Sequence, residues 1–182
     1  MKKLLLSLFA FSAVTLNAQT FVSTTPENKN IILEEFTGIS CGYCPDGHRI
    51  GQDLHDANPN DVFLINIHTG SYANPQGPGT DFNTSFGSDL ATQSGLCGYP
   101  AGTVNRRDFT ANGWNQTSSS SGCVATTAMS RGNWTSAANL MLTEPSPVNV
   151  GLQASVDMAT NTLTVDVEVY YTGSQTISSN AL

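Results

Sequence analysis

The chain is predicted to fold as an α/β protein, a central mixed sheet flanked by helices, with an appended antiparallel β-hairpin. Three observations carry this. Two apolar runs, IILEEF (31–36) and VFLINI (62–67), flank a stretch of helical periodicity. A second helical pattern then leads into a Gly-Tyr-Pro and another short apolar run. The tail finally switches to two-residue alternation over VNVGLQASVD and TLTVDVEVYY.

The opening, MKKLLLSLFAFSAVTLNAQT, has Lys2 and Lys3 as a positive start, an apolar stretch over 4–16, and the small residue Ala18. That is the layout of a secretory signal peptide over 1–18, cleaved after Ala18. The apolar run is shorter than the roughly 20 residues of a bilayer span, and no cysteine stands near the cleavage point for lipid attachment. An exported chain with no transmembrane segment after signal removal is expected. Its location is the periplasm, the outer membrane or the cell surface. Removal leaves 5 of the 7 Lys+Arg and all 14 Asp+Glu, so the formal charge moves from −7 to −9. A chain this acidic, without a basic stripe, is not suited to nucleic acid. Export also makes disulfides the first reading of four cysteines.

Each element has a local justification. IILEEF reads as a strand, and a helix is expected from about Gly42 to Ala57, with Ile50 and Leu54 on one face and Pro59 stopping it. VFLINI reads as a buried strand, giving strand–helix–strand and a parallel pair. TGSYANPQGPGT (69–80) is loop by composition. Thr80 or Asp81 is the expected cap of a helix whose Phe82, Phe86 and Leu90 form a core stripe, the alternative being the lining of a pocket. A strand is expected near 101–107, a mobile polar loop over NGWNQTSSSSG, and a last helix capped by Asn133 and closed by Pro145 and Pro147. The tail is a hairpin with one wet face, turning at MATN. Such a hairpin is marginal alone, so it is read as the start of a β-sandwich module.

The chemistry concentrates in TGISCGYCPDGH (37–48), where Cys41 and Cys44 stand one helical turn apart. Three readings compete: a redox pair, half of a zinc site, or a structural disulfide. Thiolate is the attacking species, so a redox cysteine needs a lowered pKa, which a helix N-terminus supplies. Cys41, directly after a strand and opening a helix, is the expected nucleophile, and Cys44, one turn deeper, the resolving sulfur. Glu35 lies on the strand leading into Cys41. If that strand is central, its carboxylate is buried and raised in pKa, as a proton acceptor for Cys44 requires; on an edge strand Glu34 and Glu35 would both be solvated. Tyr99-Pro100 ahead of a strand is a position for a cis peptide bond. Pro45 disfavours helix at Cys44, so an irregular first turn is expected.

The order strand–CxxC–helix–strand–helix–Xaa-Pro–strand resembles the thioredoxin fold. The resemblance implies that Pro100 is the cis-proline shaping the substrate groove, with Tyr43 and Tyr99 beside it. It also implies that Glu35, six positions before Cys41, is the family's buried acid. Gly42-Tyr43 is similar to the dipeptide of periplasmic disulfide isomerases, which act as dimers; no dimerisation module is visible here. EEFTGISCGYCPDGH with GYPAGTVNR resembles a thioredoxin-like family of exported outer-membrane proteins of Gram-negative bacteria, in which a β-rich region follows the redox domain. On that resemblance, 1–18 is the signal peptide, 19–30 an N-terminal lead and 31–143 the thioredoxin-like domain. The hairpin 148–171 is a partial β-sandwich module, and 172–182 a tail. Two departures stand out: the 69–80 insertion, expected to cover part of the site, and the bulky Tyr99 before the proline.

The reading is thus an exported thiol–disulfide oxidoreductase, with isomerase activity among those the resemblance allows. Its substrates are protein thiols or disulfides, its redox partner is unspecified, and the dithiol carries the electrons without an organic cofactor. Cys97 and Cys123 are expected to form a structural disulfide; the alternative has Cys97 exchanging with Cys41. For zinc, Cys41, Cys44 and His48 would need His55 or His68, and export disfavours that arrangement, so no metal is assigned. Arg106 and Arg107 read as a solvated strand end, the alternative being a steering charge for acidic substrates. The rival function is a surface interaction protein that uses the same domain as a scaffold, because fold alone does not fix function.

Overall fold

The computed structural model describes residues 21–174. The signal-peptide reading of 1–18 and the tail beyond 174 lie outside the described residues. Two compact units make up the described chain: residues 27–146, and residues 21–26 with 147–174.

In the larger unit, β-branched and aliphatic residues build β1 (Ile31–Thr37) and β2 (Val62–His68), which pair in parallel. The helix between them is α1 (Cys44–Ala57). It begins at Cys44 rather than Gly42, and Pro45 occupies the first turn, where a proline nitrogen forfeits no intrahelical bond. The expected irregularity is therefore confined to the turn before the helix.

The second helix, α2 (Ser85–Gln93), starts later than expected. Thr84 is its N-cap, accepting from the Gly87 amide at 3.0 Å, while the Asp81 carboxylate accepts from the Asn83 amide and holds a separate turn. The core stripe is accordingly overturned: Phe82 and Phe86 are exposed, and only Leu90 packs inward. β3 (Ala101–Val104) stops short of the expected end because Asn105 and Arg106 have φ near +50° and turn the chain away.

NGWNQTSSSSG is a second departure. It contains β4 (Asn115–Ser118), which pairs antiparallel with β5 (Cys123–Ser130), a strand the polar sequence did not reveal. Asn115 secures the corner, its Oδ1 accepting from the Phe109 amide and its Nδ2 donating to the Thr126 carbonyl. The last helix, α3 (Trp134–Met141), follows β5. Asn133 precedes it without capping it, donating to the Trp114 carbonyl instead.

The sheet order is β2-β1-β3-β5-β4, with β3 antiparallel to β1 and β5 antiparallel to β3. Strand–helix–strand, a connecting helix, then two antiparallel strands and a closing helix is the thioredoxin-like fold, here with β4 added at the edge. β1 is central, so both of its faces are covered. Ile31 and Leu33 meet Leu54, Trp134 and Ala138, and Phe36 joins a second cluster on the opposite face with Ala125 and Ala128. Glu35 is on the same face as Leu33 and is therefore buried.

The smaller unit is the hairpin β6 (Val148–Asp157) and β7 (Thr162–Tyr171), a separate two-stranded sheet. Residues 21–26 lie along its polar face. The Glu168 carboxylate accepts from the Phe21 and Val22 amides, and Asn149 Nδ2 donates to the Ser23 and Thr25 carbonyls. The opposite face exposes Val150, Leu152, Leu163, Val167 and Val169. No helix among the described residues is long and apolar enough to cross a membrane.

Candidate functional site

β1 ends at Thr37, and the chain turns so that the Cys41 amide donates to the Gly38 carbonyl and the Cys44 amide to the Cys41 carbonyl. Cys41 and Cys44 form a disulfide with Cα atoms 5.4 Å apart. Cys41 is 8% exposed and Cys44 1%, so the residue outside the helix is the more accessible of the two. Between them Tyr43 projects into solvent with the Arg131 guanidinium 5.9 Å from its ring centroid. Arg131 also donates from Nε to Asp46 at 2.6 Å, tying the start of α3 to the first turn of α1.

Glu35 lies beneath that turn. It is 3% exposed, and burial pushes its carboxyl up to about 7. Oε2 stands 3.1 Å from His48 Nδ1, and Oε1 has no hydrogen-bond partner among the described residues. The other nitrogen of the same imidazole, Nε2, is 3.3 Å from Thr37 Oγ1.

Gly47 makes the room. A Cβ there would stand 2.6 Å from Glu35 Oε1, 3.1 Å from Trp134 Cη2 and 3.3 Å from Pro100 Cβ. The last two belong to rigid rings, and the carboxylate is held by His48. Overpacking costs about 1–3 kcal/mol, against about 1 kcal/mol of helix propensity gained by alanine. Gly47→Ala is therefore expected to lower stability by about 1 kcal/mol in denaturant titration; a more stable variant would show that the carboxylate moves freely.

The same contacts bring Pro100 to the site, because it abuts Gly47 in the first turn of α1. The Tyr99–Pro100 bond is cis. The half-buried Tyr99 hydroxyl bonds to Thr69, and the ring meets Tyr72 edge-on at 5.4 Å. Tyr72 belongs to the insertion, whose short 3-10 turn (Ser71–Ala73) docks on the loop before Cys41, its carbonyl accepting from the Ser40 amide at 3.0 Å. The insertion thus packs against one side of the CxxC loop.

Cys97 and Cys123 are bonded to each other, with Cα atoms 5.7 Å apart, anchoring the start of β5 to the segment ahead of Tyr99. The 26-residue separation corresponds to about 3.5 kcal/mol in the chain-entropy model. A Cys97→Ser/Cys123→Ser variant is expected to lose that much in denaturant titration; an unchanged midpoint would mean that the β4–β5 corner holds without the bond.

The remaining candidates separate. His55 Nδ1 is 2.7 Å from the Val62 carbonyl, the His68 ring rests 5.1 Å from Phe82, and only His48 reaches the CxxC turn. Arg106 and Arg107 are not a free strand end. Arg106 pairs with the buried Glu34, Nε donating to Oε2 at 2.7 Å, and Arg107 pairs with Glu144. The Glu35–His48 contact was missed in the sequence. Its trace is one helical turn of spacing, Cys44 to His48, which reads equally well as a metal pattern.

No protein-family model matches the chain, and no curated protein matches it. Among solved structures, it is similar to HBP35 of Porphyromonas gingivalis at 18% identity and a TM-score of 0.47, over 71% of this chain. The chain spans 38% of the length of that protein. A crystal structure of an Agrobacterium tumefaciens protein aligns at 11% identity and a TM-score of 0.36, over 85% of this chain and 99% of that one.

Proposed function

We propose that this chain is an exported thiol–disulfide oxidoreductase that exchanges disulfides with protein substrates through Cys41 and Cys44. The observation that carries the reading is the buried Glu35 carboxylate, held near neutrality in pKa directly beneath the turn that bears the pair. A structural disulfide has no use for a costly buried acid, whereas a resolving thiol needs a nearby base. In the forward direction Cys41 thiolate attacks a substrate disulfide and the substrate's second sulfur leaves as a thiolate. Cys44 then gives its proton to Glu35 and attacks Cys41 Sγ, and the remaining substrate sulfur departs. The pair is oxidised by two electrons and the substrate disulfide becomes two thiols. Pro100, Tyr99 and Tyr43 border the place where substrate would lie.

A scaffold function at the outer membrane or cell surface is the second reading. It is favoured by one observation, the exposed aliphatic face of the β6–β7 hairpin. Equilibration of residues 19–182 in graded glutathione buffers, followed by thiol labelling and mass analysis, separates the two. Exchange predicts that Cys41 and Cys44 change state together within the poise of an exported compartment while Cys97 and Cys123 stay bonded. A Cys41–Cys44 bond that stays closed until far more reducing conditions would leave the scaffold reading.

A further inference from the structure

A base buried in the middle of a sheet must exchange its proton with water in every cycle, and Glu35 is almost without solvent contact. Among the described residues a single side chain lies within hydrogen-bond or ion-pair distance of its carboxylate, and that is His48. The imidazole spans the gap between interior and surface. Nδ1 is 3.1 Å from Glu35 Oε2, Nε2 is 3.3 Å from Thr37 Oγ1, and 39% of the side chain is exposed. α1 fixes this geometry, since His48 follows Cys44 by one turn and Gly47 lets the helix settle onto the carboxylate.

We infer that His48 is the relay that moves protons between Glu35 and solvent during exchange, with Thr37 setting the orientation of its ring. The inference rests on the oxidoreductase reading of Cys41 and Cys44. When Cys44 resolves the mixed disulfide, its proton passes to the Glu35 carboxylate. Glu35 Oε2–H then donates that proton to Nδ1 of a neutral ring, and the resulting imidazolium loses its Nε2 proton to water. Exchange with water restores the starting tautomer, Glu35 is again ionised, and one proton has left the protein for each thiol consumed. The reverse direction runs the same transfers backwards.

Other groups do not compete for this role. The β2 and β3 register partners of Glu35 are Asn66 and Gly102, and α3 faces it with Trp134. In the CxxC turn and the first turn of α1 the titratable groups are Cys41, the solvent-exposed Tyr43, Cys44 and Asp46, and Asp46 is engaged by Arg131 and Arg49.

The test uses residues 19–182 as wild type, His48→Ala and His48→Gln. Glutamine keeps much of the ring's volume and a donor towards Glu35 without carrying a proton, so it serves if the alanine variant is unstable. Reduced protein is mixed with glutathione disulfide at low buffer concentration, quenched with acid and weighed. Formation of the Cys41 mixed disulfide and its resolution by Cys44 are thereby timed separately between pH 6 and 8. Resolution is expected to slow about tenfold in both variants, below the 10²–10⁴ of a direct general base because Glu35 remains. The glutathione poise at half-oxidation should stay within twofold of wild type, and free imidazole should restore the His48→Ala rate. Unchanged resolution rates overturn the relay, as does a loss that comes with a shifted poise and no imidazole rescue, which marks a packing role. A wild type that forms no mixed disulfide fails earlier, and takes the oxidoreductase reading with it.

Discussion

Cys41→Ser is expected to abolish disulfide exchange by at least about a thousandfold, the scale on which removal of a nucleophile is felt. Cys44→Ser should instead leave the first step intact and strand the protein as a covalent adduct. The asymmetry follows from where the two residues sit. Cys41 precedes α1 and keeps some solvent access, whereas Cys44 is the first residue of the helix and is closed off. An incoming disulfide is therefore expected to meet Cys41 first. A thiolate at Cys41 also faces the positive end of a 14-residue helix, which favours the charged form. Intact-mass analysis after exposure to glutathione disulfide reads both variants. An adduct on Cys41→Ser, or none on Cys44→Ser, would exchange the roles of the two cysteines or remove them.

What the sequence displays of this site is what local pattern can encode. IILEEF, CGYC and VFLINI are short-range signals, and they suffice for a central parallel pair with a helix between. Once β1 is central, the two-residue alternation of a strand places Glu35 beside Leu33 on the covered face. Glu34, on the opposite face, is buried too and is reconciled by Arg106, 72 positions away. No local rule could have supplied that partner. β5 fails to register in the sequence for a similar reason. CVATTAMS is held by pairing with β3 and β4 and by the bond to Cys97, rather than by its own alternation. The Phe82 and Phe86 stripe misleads because periodicity records which residues share a face, not whether anything covers that face. His48 is the instructive case: its spacing from Cys44 is visible, but its use depends on a carboxylate that comes from another element.

Glu35→Gln should make the protein both more stable and slower. The carboxyl has an ordinary value of 4.5 and is pushed up to about 7 by burial. Below about pH 4.5 it is protonated in folded and unfolded chains alike and costs nothing through ionisation. As pH rises from there to about 7, the unfolded chain releases the proton while the folded chain retains it. The unfolded state therefore binds fewer protons, and stability falls as pH rises. A displacement of this size corresponds to about 3 kcal/mol, fully lost by about pH 7 and level above it. Glutamine does not titrate. The variant's advantage over wild type is therefore expected to be nearly constant below pH 4.5, to grow by about 3 kcal/mol between pH 4.5 and 7, and then to stop growing. Contributions from groups that do not touch Glu35 are common to both proteins and cancel in the comparison. The same substitution removes the acceptor proposed for the Cys44 proton, so resolution of the mixed disulfide should slow about a hundredfold. Denaturant titrations at a series of pH values, paired with the acid-quench timing of resolution, measure both effects on one pair of proteins. A stability difference that does not change across that window would mean that Glu35 titrates as an ordinary solvated acid. An unchanged resolution rate would mean that its burial serves packing rather than proton transfer. A gain in stability together with a loss in rate is the outcome that ties the buried charge to the chemistry.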